Sequence, residues 1–163
     1  MATYIVAVAA AAIVLAAATA STFPSGQWLD LAIFVAAGVA SERWAVQSSV
    51  EGSMSLSLTV TFAAAILFGP AFAAVVVCGG VLVSDLVIDR RRWTKIVFNC
   101  SQLVVSAILA GVVFSELATG DGVSLSRDAL AIAVSAAVFL LVNNTLVTGV
   151  IALQGRSFIH DWT

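Results

Sequence analysis

The sequence predicts an all-α integral membrane protein, a bundle of about six transmembrane or half-membrane helices. Hydrophobic residues make up 61% of the 163 residues and charged residues only 10%, whereas soluble domains average about 25% charged residues. The apolar residues occur in charge-free blocks, several of which reach the roughly 20 residues that a spanning helix needs. These Ala-rich blocks lack the alternation of barrel strands. The blocks are 1–29, 31–41, 52–84, 96–115 and 129–155.

The first block predicts an anchored helix at about residues 4–20. Ala18-Thr19-Ala20 resembles the small-residue cleavage site of a signal peptide. A signal peptide normally begins with positive charge, however, and no Lys or Arg precedes this site. We therefore expect the helix to remain in the protein.

A basic cluster at residues 89–95 predicts the orientation of the chain in the membrane. Positive charges beside membrane helices are enriched on the cytoplasmic side, and four of them in this position indicate a topology anchor rather than a nucleic-acid patch. We therefore expect a bilayer and no nucleic acid as the partner of this segment. The anchor residues are Arg90, Arg91, Arg92 and Lys95.

The two blocks after the cluster, 96–115 and about 129–152, predict an out-and-back pair of helices. The loop 116–128 then lies outside, and Arg156 returns to the cytoplasm. The sequence thus predicts a multi-pass protein of the bacterial plasma membrane with both termini cytoplasmic.

The block 52–84 contains Gly69-Pro70, where the chain either turns or bends. As one helix the block would extend roughly 50 Å, although one crossing needs only about 30 Å. Gly after a helix end and Pro at the start of the next helix favour a turn, with helices at about 57–68 and 70–88 meeting near the outer side. A kinked single helix is the alternative, and it would move Arg43 outside.

The segment before these helices has two interpretations. Residues 53–61 alternate polar and apolar side chains, as a strand does, and Glu51-Gly52 can form the turn of a short β-hairpin near residues 44–58. The alternative is a helix start whose Ser and Thr hydroxyls bond to its own carbonyls.

Polar side chains within the apolar blocks form the candidate site. Lys95, Asn99, Gln102 and Ser106 are spaced by four, three and four residues, which predicts one helical stripe facing other protein. We expect Asn99 and Gln102 to bond to polar groups on another helix, with ligand contact as the alternative. The candidate ligand or interhelical polar network comprises Asp85, Asn99, Gln102, Asn143 and Asn144.

No enzymatic motif is found in the sequence. Cys78 and Cys100 have no nearby histidines and form no zinc pattern, and a structural disulfide is not expected within apolar runs. His160 is the only histidine and lies past the last apolar block. Phosphate-binding and nucleophile motifs are also lacking. We expect no catalytic residue, no metal and no cofactor.

Short motifs along the chain give it a family resemblance. These are SLS at 55–57, LFGP at 67–70, SDL at 84–86, RRWTKIVFN at 91–99 and QL at 102–103. Together they resemble the polytopic N-terminal membrane input region of bacterial signalling proteins, in which it precedes HD-GYP, GGDEF or histidine-kinase output domains.

The resemblance covers about residues 30–156 and implies a sensory or anchoring input module without catalytic activity of its own. It also implies a cytoplasmic output domain or a homodimer as partner. Because family members continue past the equivalent of Trp162, we expect residues 1–163 to be a single membrane domain at the N-terminus of a longer signalling protein. The alternative function is a small-solute binding membrane subunit of a transporter, which should show converging polar groups around a cavity.

Overall fold

The computed structural model describes residues 1–43, 46–48, 52–54, 57–88, 92–119 and 122–154. It is a helical protein, so the helical class predicted from the sequence is confirmed. The elements are α1 (Ala2–Thr19), a 3-10 turn (Ala20–Thr22), α2 (Trp28–Arg43), β1 (Val46–Ser48), β2 (Gly52–Met54), α3 (Ser57–Phe68), α4 (Pro70–Val81), a π-helical segment (Leu82–Ile88), α5 (Trp93–Leu117) and α6 (Leu125–Gln154).

Within the described residues, three helical segments are long and apolar enough to cross a membrane: Ala2–Thr22, Trp93–Leu117 and Leu125–Leu153. In the most apolar 18-residue stretch of each segment, the share buried inside the protein is 67% for α5 but only 11% for α1 and 22% for α6. The central helix of the bundle is therefore α5, and it packs against α1, α3, α4 and α6. The shorter apolar helices α2, α3 and α4 complete the bundle.

The chain turns at Gly69-Pro70. The helix α3 ends at Phe68, and α4 begins with Pro70 at its first position, where the fixed φ of proline suits a helix start. Gly69 has φ 90°, a conformation that residues with a Cβ rarely adopt. Because α3 then packs against α4, the break is a turn rather than a kink. The predicted helix boundaries are confirmed, except that the second helix becomes π-helical from Leu82.

Two short strands lie between α2 and α3. They pair antiparallel, with Val46 opposite Met54 and Ser48 opposite Gly52. Each strand has three residues, and an isolated two-stranded hairpin is marginally stable at best in water. Residues 44–45, 49–51 and 55–56, which include Glu51 of the expected turn, lie outside the described residues, so the β-hairpin predicted near residues 44–58 stays a prediction.

Aromatic contacts identify which helix ends lie together. Tyr4 of α1 lies beside Phe98 of α5, with ring centroids 6.3 Å apart, and its hydroxyl donates to the carbonyl oxygen of Leu146 in α6 at 3.1 Å. Phe23, just beyond the other end of α1, stacks on Phe72 in the first turn of α4 at 6.1 Å. The beginnings of α1 and α5 thus meet the C-terminal half of α6, whereas the end of α1 meets the start of α4.

Candidate functional site

The helix α4 and the π-helical segment after it run antiparallel to α5. Residues later in the first element contact residues earlier in the second. We call this contact the α4–α5 seam. It is marked by three contacts: Pro70 with Gly111, Cys78 with Cys100, and Asp85 with Asn99.

The seam is tightest where the chain has turned into α4. A Cβ added at Gly111 would lie 3.2 Å from both the Cα and the Cβ of Pro70, closer than ordinary van der Waals contact. Small residues allow membrane helices to approach this closely. Gly111 therefore sets the spacing between α4 and α5 at this end.

Two cysteines meet between the Gly111 end of the seam and its polar end. The Sγ atoms of Cys78 and Cys100 are 3.3 Å apart, and both side chains are half-buried thiols. A disulfide bond is about 2.05 Å long, so the pair is not bonded. A thiol is a weak donor and a weak acceptor, and either one can donate to the other. The sequence analysis set aside a structural disulfide between these cysteines because both lie in apolar runs, and it did not predict that the two thiols are in contact.

The far end of the seam is polar. Asn99 Nδ2 donates a hydrogen bond to Asp85 Oδ2 at 3.2 Å, and Asp85 is only 4% exposed. A buried carboxylate requires polar partners because burial removes its hydration. Asp85 lies in the π-helical segment, and such segments are frequent at functional sites. The interhelical bond that was expected for Asn99 is therefore present, and Asp85 accepts it.

The polar stripe continues along α5 into the core. Gln102 is 8% exposed, and Ser106 is fully buried. The Ser106 hydroxyl donates to the Gln102 backbone carbonyl at 2.7 Å, which satisfies it within its own helix. Gln102 Oε1, in contrast, accepts no hydrogen bond within the described part of the chain. The interhelical bond expected for Gln102 is thus not present at this oxygen.

The asparagines of α6 differ from one another. Asn143 is buried, and its Oδ1 has no donor among the described residues, whereas Asn144 is exposed on the outer face of the helix. Ser135, two turns before Asn143, is fully buried and its hydroxyl is also unpartnered within the described chain. Sequence reasoning missed Ser135 because a single serine in an apolar helix usually bonds to its own backbone.

The topology anchor is described in part. Arg92 is exposed and immediately precedes α5, and Lys95 is half-buried in its first turn. Arg90 and Arg91 lie outside the described residues, as does His160. A positive charge at a helix N-terminus is opposed by the helix dipole, so stabilisation of α5 does not explain the position of these residues.

The first turn of α6 contains a buried carboxylate that the sequence analysis did not identify. Asp128 is 2% exposed and accepts hydrogen bonds from the backbone N–H of Ser124 at 2.8 Å and of Thr119 at 3.4 Å. Arg127 pairs with Asp128 at 3.2 Å and donates to the Gly122 carbonyl at 2.6 Å. The only sequence signal was a carboxylate in the first turn of a helix.

A model of the MASE9 family matches residues 27–162, which is most of the chain. MASE domains are membrane-associated sensory domains of signalling proteins. The resemblance to the membrane input regions of signalling proteins is confirmed at this broader level. Comparisons with curated proteins and with solved structures find no match.

Proposed function

The chain belongs to the MASE9 family, and on that premise we propose that it is a membrane-embedded sensory input module without catalytic activity of its own. A signal shifts α4 relative to α5, and the shift is passed to a cytoplasmic output domain or to a second copy of the chain. The observation that carries the proposal is the partly buried Asp85–Asn99 hydrogen bond at the polar end of the seam.

The proposed arrangement is a multi-pass domain of the plasma membrane with both termini cytoplasmic. The helices α1, α5 and α6 are the full spans, and α2, α3 and α4 with its π-helical segment are the shorter ones. The predicted hairpin lies at the cytoplasmic mouth, where its edges meet water. Large apolar side chains on α1 and α6, such as Ile13 and Leu130, are 70% and 76% exposed, and lipid covers them.

The hydrogen bond at the polar end can be intact in one state of the module and broken in the other. Its length of 3.2 Å lies at the long end of the usual range. Helix shifts in switching proteins are about 1–2 Å, so a shift of that size along the seam breaks the bond. The same seam is held at its other end by the backbone contact of Gly111 with Pro70, which makes the polar end the part that moves.

The experiment fuses a GGDEF output domain after Thr163 and measures cyclic-di-GMP synthesis in isolated membranes. Hydrogen bonds between membrane helices average about 0.6 kcal/mol, which corresponds to a roughly threefold population change. Asn99→Leu should therefore change the output by about threefold or more. Ser115→Leu is the matched control, because Ser115 is exposed and bonds only within its own helix. Equal output from all three proteins at equal membrane content would refute the proposal.

A second candidate is a small-solute binding subunit of a transporter. It is favoured by the buried oxygens of Gln102, Ser135 and Asn143 that have no partner among the described residues. A solute that donates hydrogen bonds would satisfy them. In that case Gln102→Leu raises the melting temperature of the solute-free protein and abolishes uptake in cells. In the sensory module, the same variant leaves solute uptake unchanged.

A further inference from the structure

We propose that Cys78 and Cys100 are a redox-sensitive pair, which a hydroperoxide oxidises to a reversible disulfide between α4 and α5. The inference concerns a modification of the chain and stands whatever signal or partner the sensory module has.

The geometry places both thiols within reach of the bond. Their Sγ atoms are 3.3 Å apart, so they must approach by about 1.2 Å to reach the disulfide length. Rotation of the two side chains, or a small shift along the seam, supplies such a movement. Both side chains are half-buried rather than enclosed, so a small uncharged oxidant can reach them.

The number of available ligands argues against a metal site. A structural zinc site needs four ligands. Among the residues that the structure describes, no group of three or more His, Cys, Asp or Glu side chains is arranged to hold a metal ion.

The oxidation has two steps. The sulfur of one cysteine attacks the O–O bond of hydrogen peroxide, which oxidises it to a sulfenic acid and releases water. The neighbouring thiol then attacks that sulfur, which forms the S–S bond and releases a second water. The peroxide is reduced by two electrons, and the two thiols supply them. A dithiol reductant reverses the change by thiol–disulfide exchange.

The bond would fix the seam beside its polar end. Cys100 is adjacent in sequence to Asn99, and Cys78 is seven residues before Asp85, so the covalent link lies next to the polar end. The oxidised protein should therefore hold α4 and α5 in one relative position, and its melting midpoint should rise.

The test uses the purified full chain in lipid nanodiscs. It is treated with hydrogen peroxide, free thiols are capped with N-ethylmaleimide, and the intact mass is measured with and without dithiothreitol. The expected result is a monomer that has lost two hydrogens, takes up no maleimide, and regains both thiols on reduction. Cys78→Ser and Cys100→Ser are the matched controls, and neither should give an intramolecular bond or a higher melting midpoint after peroxide.

Four outcomes would overturn the inference. The first is uptake of two maleimides by the peroxide-treated protein, and the second is irreversible oxidation to sulfinic or sulfonic acid. The third is formation of disulfide-linked dimers in place of the internal bond. The fourth is a protein that peroxide leaves reduced and in which zinc or copper(I) protects both thiols from maleimide. The last outcome would identify a metal site.

Discussion

Gly111→Ala tests whether backbone contact sets the spacing of the α4–α5 seam. The new methyl group would lie 3.2 Å from Cα and Cβ of Pro70, atoms that cannot move without moving the first turn of α4. Overpacking of this kind costs about 1–3 kcal/mol. Gly38→Ala is a matched change in α2, where the nearest atom to the new methyl group, the Cα of Gly80, is 4.0 Å away.

Both substitutions replace glycine inside a helix, so both gain the same helix propensity, about 1 kcal/mol. The difference between the two variants therefore isolates the steric term. At about 2–4 °C per kcal/mol for a protein of this size, Gly111→Ala should melt roughly 2–12 °C below Gly38→Ala. The assay is thermal unfolding in one detergent, followed by circular dichroism. If Gly111→Ala melts at or above Gly38→Ala, the close approach of Pro70 to α5 is wrong.

Three further predictions concern single contacts. Relative to Ser115→Leu, Asn99→Leu should lower the free energy of unfolding by about 0.6 kcal/mol, at most about 1.7. Denaturant unfolding measures this difference, and equal stability of the two variants would contradict the bond to Asp85. Tyr4→Phe removes the hydroxyl that bonds to the Leu146 carbonyl and should lower the free energy of denaturant unfolding by a similar amount; an unchanged value would show that this hydroxyl does not stabilise the contact with α6. Asp128→Ala leaves the N–H groups of the α5–α6 turn without their acceptor and should speed proteolysis of that turn, whereas an unchanged cleavage rate would show that the carboxylate does not hold it.

Composition and the Gly-Pro helix boundary predicted the helices well. Charge-free blocks predicted the long apolar helices, because a segment suited to lipid excludes charge. Gly69-Pro70 predicted the turn, because few other dipeptides suit a helix end followed at once by a helix start. The π-helical form of residues 82–88 could not be foreseen. Residues 82–88 contain no glycine or proline that would mark a departure from α-helical geometry.

The candidate site was predicted in part. Helical spacing placed Asn99 and Gln102 on the buried side of α5, since residues three apart share a face. It did not determine their partners, because the axial register of two packed helices is a tertiary property. The contact of Cys78 with Cys100 was not predicted, because a position in an apolar run argues against a structural disulfide but does not say which side chains lie together. Asn144 was grouped with Asn143 as a neighbour in sequence, but adjacent helical residues point in different directions.

Membrane topology decides whether the proposed input module can present its chain to a cytoplasmic output. The test introduces Val123→Cys or Arg92→Cys into a Cys78→Ser/Cys100→Ser protein; Val123 is 40% exposed, and Arg92 is also exposed. With a membrane-impermeant maleimide, the cysteine at position 123 should be labelled in intact cells and that at position 92 only after permeabilisation. Labelling at position 92 but not at position 123 in intact cells would contradict the proposed orientation of the whole domain.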